Sequence, residues 1–543
     1  MALKPLSYYK GVGRRLFLLY KHGIGLWIGA RVASVKARPA YRRKGVRFAV
    51  AWLVASLLKI FLKKELRKQP FEVQLRRRLE MLGPTYIKLG QIMAIREDIL
   101  PSHVTAELKK LLDQLPAAPF AMIRKTIEES LDAPLRELFI EFREQPLASA
   151  SIGQTHRATT HRGKPVAVKV IKPGIRETVL SDLKLLRMLS TLLEWVIPRY
   201  QPKLIISEFC NYTEKELDLE CEADHAEIFA ANFAKQPNIV FPKIYRELSS
   251  RDVLCMEYFN GIKPNQPSIF ELSKANQHKV INLGAGAIIK MLYEDGFFHA
   301  DLHAANLIVL PGPKLGFIDL GMVGRFDEKM KRNMLHYFYA LVNGDVERTA
   351  KHLLSMATVG KKGDPEGFKR AAADLFRRYL LHAANGDFSL ARVILQSLAM
   401  GGKYHVFFPV EMTLMVKALV TFEGVGKTLD PVLNVPKLSR RHILRIYKSH
   451  FSVDNLFSQL MQGMPELVDV AVHLPELIAD SSRFWDRTVN TPPGDNPLAG
   501  LRSGLIAGSC IVGGVIALVQ GANPLLWIGL FAAGIGLALF GKG

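Results

Sequence analysis

Three polar residues set in apolar surroundings constrain this chain more than any other feature. In FFHADLHAANLIVL (297–310), Asp301 and Asn306 are separated by four residues, and thirteen residues after Asn306 comes Asp319 in FIDLG. In kinase-type phosphoryl transfer a loop aspartate orients the acceptor hydroxyl and an asparagine five positions on binds a divalent metal. A second aspartate, ahead of a glycine, holds metal on the β and γ phosphates. All three spacings are met, and the apolar flanks fit short strands that present both clusters at a cleft edge. His299 and His303 have the spacing of one helical face, which raises zinc as an alternative. A zinc protease places glutamate directly after the first histidine, however, and here that position is Ala300. The histidines are therefore read as structural, tying or packing under the loop.

Phosphates also need a cation upstream. GKPVAVKVIKPGI (163–175) alternates β-branched residues and ends at Pro-Gly, as a strand does, and Lys169 closes its VAVK segment in the V-A-I-K pattern. A carboxylate from an intervening helix must position such a lysine, and Glu222 in ELDLECEAD is the candidate. No G-x-G-x-x-G precedes Lys169. PLASASIGQTH (146–156) stands in its place, so Leu147, Ala148, Ser149, Ala150, Ser151, Ile152, Gly153, Gln154 and Thr155 are the candidate nucleotide-covering residues. Alanine and serine allow close backbone approach but restrict φ more than glycine does. The nucleotide is thus expected to be held differently from that in an ordinary protein kinase.

At 543 residues the chain exceeds the usual single-domain size, and two or three folded units are expected. Its 73 Lys plus Arg face 50 Asp plus Glu, a formal charge of +23, so a negatively charged partner is expected: nucleic acid, anionic lipid or nucleotide phosphate. No aromatic-interleaved basic module or zinc finger points to nucleic acid. Cys210, Cys221, Cys255 and Cys510 are scattered without a C-x-x-C, which argues against a zinc site and a disulfide framework. The N-terminus lacks the pattern of a secretory signal. YRRKGVRFAVAWLVASLLKIFLKKELRK (41–68) alternates basic clusters with an apolar stretch, and reads as an interfacial helix or as a solvated helix packed on the body.

The C-terminus carries two uncharged stretches, 503–522 and 524–540, separated by a break at Asn-Pro. At about 1.5 Å per residue each is long enough to cross the roughly 30 Å core of a bilayer, the second barely, which predicts a tight transmembrane hairpin. Arg483, Arg487 and Arg502 precede it and Lys542 follows it, so both ends are expected in the cytoplasm. A buried core hairpin is the other reading. The basic surface is assigned to the anionic membrane beside this anchor.

PLASASIGQ, VAVKVIKPGI, ELDLECEAD, FFHADLHAANLIVL and GFIDLGMVGR, together with PTYIKLGQIMAIREDILP (84–101), resemble the UbiB family of atypical kinase-like proteins, above all its bacterial members. MVKALVTFEGVGKTLDP (415–431) is similar to the family's late helical segment. The resemblance implies that the alanine-rich loop replaces a glycine-rich one, and that a K-x-G-Q extension folds over the place where a protein substrate would bind. Lys88 and Gln91 fill that motif; three residues apart, they share a helix face and are expected to point into the cleft. Glu216 and Asp218 match the family's E-x-D pair, which the resemblance places near Lys88. Two positions depart from the family's H-A-D-x-H-P-G-N, where Ala304 and Ala305 stand in place of Pro-Gly. Ala300, where ordinary kinases carry arginine, is usual in the family and argues against control through a phosphorylated activation loop.

The expected fold is α+β: a bilobal protein kinase-like fold with a helical N-terminal extension and a C-terminal transmembrane helical hairpin. A basic helical leader (1–80) precedes the K-x-G-Q extension (81–145), a strand-containing nucleotide-binding lobe (146–262), a helical lobe with the catalytic loop (263–490), a linker (491–502) and the two membrane helices (503–541). The expected cofactors are ATP and Mg2+, with Lys169 on the α and β phosphates, Glu222 orienting Lys169, Asn306 and Asp319 on the metal, and Asp301 as catalytic base or orienting group. The resemblance implies a role in aerobic ubiquinone biosynthesis at the bacterial inner membrane, with the catalytic body in the cytoplasm. It also implies quinone or isoprenoid lipid precursors and other ubiquinone biosynthesis proteins as partners, beside anionic lipids and without nucleic acid. A non-catalytic ATP-binding scaffold is the alternative.

Overall fold

The computed structural model describes residues 12–36, 52–54, 65–66, 69–94, 100–111, 116–196, 202–360, 363–383, 389–430, 433, 435–450, 506–514 and 524–540. The chain divides into two compact units, Met1–Phe451 and Ser452–Gly543. The expected linker lies outside the described residues, as does most of the 41–68 stretch.

In the first unit, helices α1 (Val12–Lys36), α2 (Phe71–Leu82), α3 (Pro84–Ala94), α4 (Ser102–Leu108) and α5 (Phe120–Leu131) precede the main sheet. That antiparallel sheet runs β1 (Glu141–Phe142), β3 (Gly153–Thr159), β4 (Pro165–Ile171), β6 (Val253–Glu257), with β2 (Ala148–Ser149) paired to β3. Its first strand thus lies ahead of residue 146, where strand character begins in the sequence. Alternation along β4 gives it two buried faces. Val166, Val168 and Val170 pack with Ile123 and Ile127 of α5 in one apolar cluster, while Ala167 and Ile171 join the main core. Lys169 stands on that second face. Pro173 and Gly174 then turn the chain, and Gly174 has φ 75, a left-handed value that glycine adopts without a Cβ penalty.

Three helices follow, α6 (Ile175–Val196), α7 (Pro202–Glu216) and α8 (Leu219–Asn232). Asp182 of α6 is fully buried and receives the Arg15 guanidinium of α1, with Nε 2.6 Å from Oδ1, while the Thr85 hydroxyl donates to Oδ2 at 2.6 Å. Arg15 also donates to the Leu82 carbonyl at 2.9 Å. One ion pair therefore bolts the N-terminal helix to α6 and to the junction of α2 and α3.

The second lobe carries short strands at its cleft edge. β5 (Ile239–Val240) runs parallel to β9 (Lys314–Phe317), β8 (Leu307–Leu310) is antiparallel to β9, and β7 (Phe297–His299) pairs with β10 (Val323–Arg325). Helices α9 (Lys274–Lys290), α10 (Glu328–Val342), α11 (Val346–Ser355), α12 (Pro365–Ala383), α13 (Leu390–Tyr404), α14 (Val410–Leu429) and α15 (Val435–His450) complete the body. Asp327, Asp345 and Ser389 cap α10, α11 and α13 through their side-chain oxygens. The chain passes between the lobes at Gly261 and Ile262, and Ile262 exchanges backbone hydrogen bonds of 2.9 and 2.8 Å with Val309 of β8. A Cβ on Gly261 would overlap the Val309 carbonyl oxygen. Gly261→Ala is therefore expected to destabilise the body by about 1–3 kcal/mol, read as a lower denaturation midpoint; an unchanged midpoint would refute the close approach.

In the second unit, residues 506–514 are helical and pack antiparallel to α16 (Pro524–Phe540), with Gly514 against Phe531 and Gly534 against Ile511. A Cβ on Gly534 would lie 2.9 Å from the Ala507 carbonyl oxygen, so glycine sets the closeness of this pair. Among the described residues no helix is long and apolar enough to cross a membrane. The expected transmembrane hairpin is without support there: α16 has 17 residues, about 25 Å at the usual helical rise, short of a roughly 30 Å hydrocarbon core.

Candidate active site

Lys169 faces the cleft because strand alternation puts it there. Its Nζ lies 2.8 Å from Glu222 Oε2 and 2.8 Å from Asp319 Oδ1. Burial pulls the Lys169 ammonium down, but the two carboxylates outweigh it and the group is raised. Lys169 in turn holds Asp319 below its ordinary value. Burial pushes Glu222 up, against the opposing pull of Lys169. Asp319 sits at φ 57, a left-handed conformation costing roughly 1–2 kcal/mol, and its side chain is half exposed.

Glu222, His225 and Phe229 lie on one face of α8, at i, i+3 and i+7. Asp218 caps this helix by accepting from the Glu220 amide at 3.1 Å. Along that face Glu222 takes Lys169, His225 Nδ1 bonds the Leu320 carbonyl at 3.0 Å, and Phe229 packs on Phe297 at 4.6 Å between centroids. Phe229 also stacks on Phe241, and Phe241 on Phe317. The helix that orients Lys169 is thus anchored to β7 and β9, the strands leading to Asp301 and Asp319.

Asp301 follows β7, and Asn306 ends the short 3-10 helix Ala304–Asn306 that opens into β8. The buried His299 imidazole accepts from the Asp301 amide at 3.2 Å through Nδ1 and donates from Nε2 to the Ile318 carbonyl at 3.2 Å. Burial keeps it below its ordinary value and so neutral. Asn306 Nδ2 donates to the Asp301 carbonyl at 3.1 Å, and the Ile318 amide donates to the Asn306 carbonyl at 3.0 Å. Ala304 and Ala305 form the turn that Pro-Gly would otherwise make. With its amide nitrogen committed, Asn306 keeps its side-chain oxygen; together with the Asp319 carboxylate it offers the all-oxygen donor set that a hard divalent cation takes. Among the described residues no three His, Cys, Asp or Glu side chains gather into a separate metal site.

The small-residue loop is split by alternation. Ala148 pairs with Thr155, and Thr155 with Lys169, so these three share the cleft face. Ser149, Gln154 and Val170 share the other. Gln154 is buried there, accepting from the Ala118 amide at 2.8 Å and bonding His156 Nε2 at 2.8 Å. It packs the back of the sheet instead of covering a nucleotide. Ser151 and Ile152 are buried, and Leu147 is exposed. Ala150 gives its carbonyl to the buried Lys172 Nζ at 2.6 Å, and the Lys172 amide donates to the Ile152 carbonyl at 2.9 Å. Lys172, which the sequence reading passed over, fixes this loop from beneath. Gly153 opposes Ile171 across the strand pair.

Of the extension residues, Lys88 forms an ion pair with Glu216. Gln91 turns away, its Nε2 3.5 Å from the Leu111 carbonyl, so the two do not point together into the cleft. Asp218 serves as the α8 cap and as an ion-pair partner of Arg251 at 3.3 Å. Lys88 and Glu216 line a cavity of about 260 Å³ that also meets Gly321, Met322 and Arg325, directly after Asp319.

One contact has no counterpart in the motif reading. Lys417 Nζ of α14 lies 2.6 Å from Asp301 Oδ1. Burial would raise Asp301, but Lys417 dominates and holds the carboxyl well below the usual range. The only trace in the sequence is a lysine set among apolar residues in LMVKALV.

Residues 110–353 match the ABC1 atypical kinase-like domain, and residues 375–434 match the UbiB helical domain. The candidate catalytic residues fall in the first and Lys417 in the second, and the pair of domains supports the UbiB family. A solved structure described as the complex of Rv3197 with erythromycin from Mycobacterium tuberculosis is similar over 67% of this chain and 93% of that chain, at 23% identity and a TM-score of 0.47.

Proposed function

We propose that this chain is a UbiB-family protein, similar to the bacterial members, that binds ATP with Mg2+ and hydrolyses it or transfers its phosphoryl group in support of aerobic ubiquinone biosynthesis. The single observation that carries the reading is Lys169 bridging Glu222 and Asp319 beside the Asp301–Asn306 loop. When nucleotide enters, the Lys169 ammonium binds the α and β phosphates while Glu222 keeps it oriented. Asn306 and Asp319 would hold magnesium, which would supply charge neutralisation for the phosphates. Asp301 positions the attacking oxygen. With both ends of the reaction held, positioning and charge neutralisation supply most of the rate enhancement.

The membrane side of the reading rests on charge and exposure. Helix α1 contains no acidic residue and exposes Leu16, Phe17, Tyr20 and Ile24, an apolar stripe beside basic positions, as in helices that lie on anionic bilayers. The proposed location is the bacterial inner membrane, with the glycine-coupled C-terminal helices as anchor and the body in the cytoplasm. The proposed partners are anionic lipids, quinone or isoprenoid precursors, and other ubiquinone biosynthesis proteins.

The test is phosphate release from ATP by the full chain, with and without anionic vesicles and a quinone-precursor mimic, with Asp319→Asn as the blank. Release that vesicles stimulate, that falls at high salt and that Asp319→Asn loses is expected. Release indifferent to Asp319→Asn would sink the reading. Rescue of a ubiquinone-deficient strain by the Asp319→Asn chain would establish an ATP-binding scaffold instead.

A further inference from the structure

We propose that Lys417 is a catalytic residue whose ammonium binds the transferred phosphoryl group next to Asp301, so that the helical domain supplies a cation at the reacting centre. This rests on the phosphoryl-transfer reading above and adds to it a group that the motif pattern does not contain.

Placement comes first. Lys417 and Asp301 are in contact at 2.6 Å with each side chain about one-third exposed, so the pair opens on the cleft instead of being sealed in the core. The backbone beneath Lys417 is fixed: Met415, Val416 and Ala418 are buried, and α14 packs on the 3-10 turn Ala304–Asn306 and on β10. An amine carried on so well packed a helix reaches the loop in a set direction.

Charge accounting gives the second argument. A loose phosphoryl-transfer transition state spreads negative charge over three oxygens and needs cations placed ahead of time. Lys169 is committed to Glu222 and Asp319 on the nucleotide side of the cleft. The position before Asp301 is Ala300, so the loop contributes no arginine there. Lys417 is the ammonium that reaches Asp301, and a group in hydrogen-bond contact with the residue that orients the nucleophile is within reach of the phosphoryl group being attacked.

The step balances without a further reactant. The bond from the γ phosphorus to the bridging oxygen breaks and ADP leaves with its electron pair. The bond from the attacking oxygen, of water or a hydroxyl, to phosphorus forms, and that oxygen's proton passes to a phosphoryl oxygen. Asp301 stays ionised under Lys417 and orients the nucleophile, while Lys417 moves from Asp301 toward the phosphoryl oxygens as their charge develops.

The experiment compares the full wild-type chain with Lys417→Met, Lys417→Gln and Lys417→Arg, measuring affinity for the non-hydrolysable ATP analogue AMP-PNP and for ADP with magnesium, and turnover. In the two neutral variants AMP-PNP affinity should fall about tenfold with ADP affinity unchanged, and retained ADP binding itself reports a folded site. Turnover should fall about 10²–10³-fold, with Lys417→Arg recovering most of it. An unchanged ratio of AMP-PNP to ADP affinity in Lys417→Met and Lys417→Gln overturns the proposal. A wild-type chain that binds neither nucleotide removes the phosphoryl-transfer reading and this inference together. Binding that depends on Lys169 with an unmoved ratio removes the inference alone.

Discussion

Asp301→Asn is expected to lower turnover of ATP by about 10²–10⁴-fold while leaving nucleotide affinity close to that of the wild type. The amide occupies nearly the same volume, and the anchors of the loop are backbone groups: His299 accepts from the Asp301 amide and Asn306 donates to its carbonyl. The loop therefore keeps its shape while the negative charge facing Lys417 disappears. The proposed nucleotide contacts, at Lys169, Lys417, Asn306 and Asp319, do not include the Asp301 carboxylate, so binding should persist. Because Lys417 depresses Asp301, the wild-type carboxylate is ionised throughout the physiological range, and no acid limb from Asp301 should be seen above about pH 4. Single-turnover release beside equilibrium binding of AMP-PNP separates the two quantities. Equal losses in both would mean that Asp301 holds the nucleotide and does not act on the nucleophile.

Arg15→Met is expected to destabilise the body by about 3–5 kcal/mol, a large share of an ordinary domain's stability. The reason is the partner left behind. Asp182 is fully buried, and without the guanidinium only Thr85 remains, among the described residues, to satisfy its carboxylate. Arg15 also loses its bond to Leu82 and its position over the Tyr86 ring at 5.6 Å, so α1 loses its attachment at three points. Replacing both partners, as Arg15→Met with Asp182→Leu, should recover much of the loss, because an apolar pair in that site carries no desolvation cost. Urea denaturation of the single and double variants measures this. A single variant within about 1 kcal/mol of wild type would show that the pair contributes little.

The two predictions draw on different ranges of contact. The gathering of Asp301, Asn306 and Asp319 in one place was legible because their loop and the turn after β9 are nearly contiguous, and local backbone geometry converts their spacing directly into position. Lys169 was legible from a short strand with a terminal cation, and Glu222 from a helix in the required order. Gln154 was misassigned for lack of register: one alternation step separates it from Thr155, and only the pairing of β3 with β4 tells which of them shares the face of Lys169. Asp218 was read only as part of the E-x-D pair, and the structure gives it the capping of α8. Gln91 was placed by helix periodicity, but its side-chain amide donates to the Leu111 carbonyl of a later segment.

By itself, then, the amino-acid order determined the spacing of the loop's polar residues, the alternation of the strand that carries Lys169 and the mixed helix-and-sheet character of the body. Those properties arise from residues close in the chain, where spacing and periodicity are geometry. Tertiary structure alone decided that Arg15 meets Asp182, 167 positions away, and that Lys417 meets Asp301, 116 positions away. No local rule pairs groups at such separations. They meet because apolar faces bury against one another and carry the charged side chains with them, and the cost of leaving a desolvated carboxylate unpaired then selects the arrangement in which a cation is beside it.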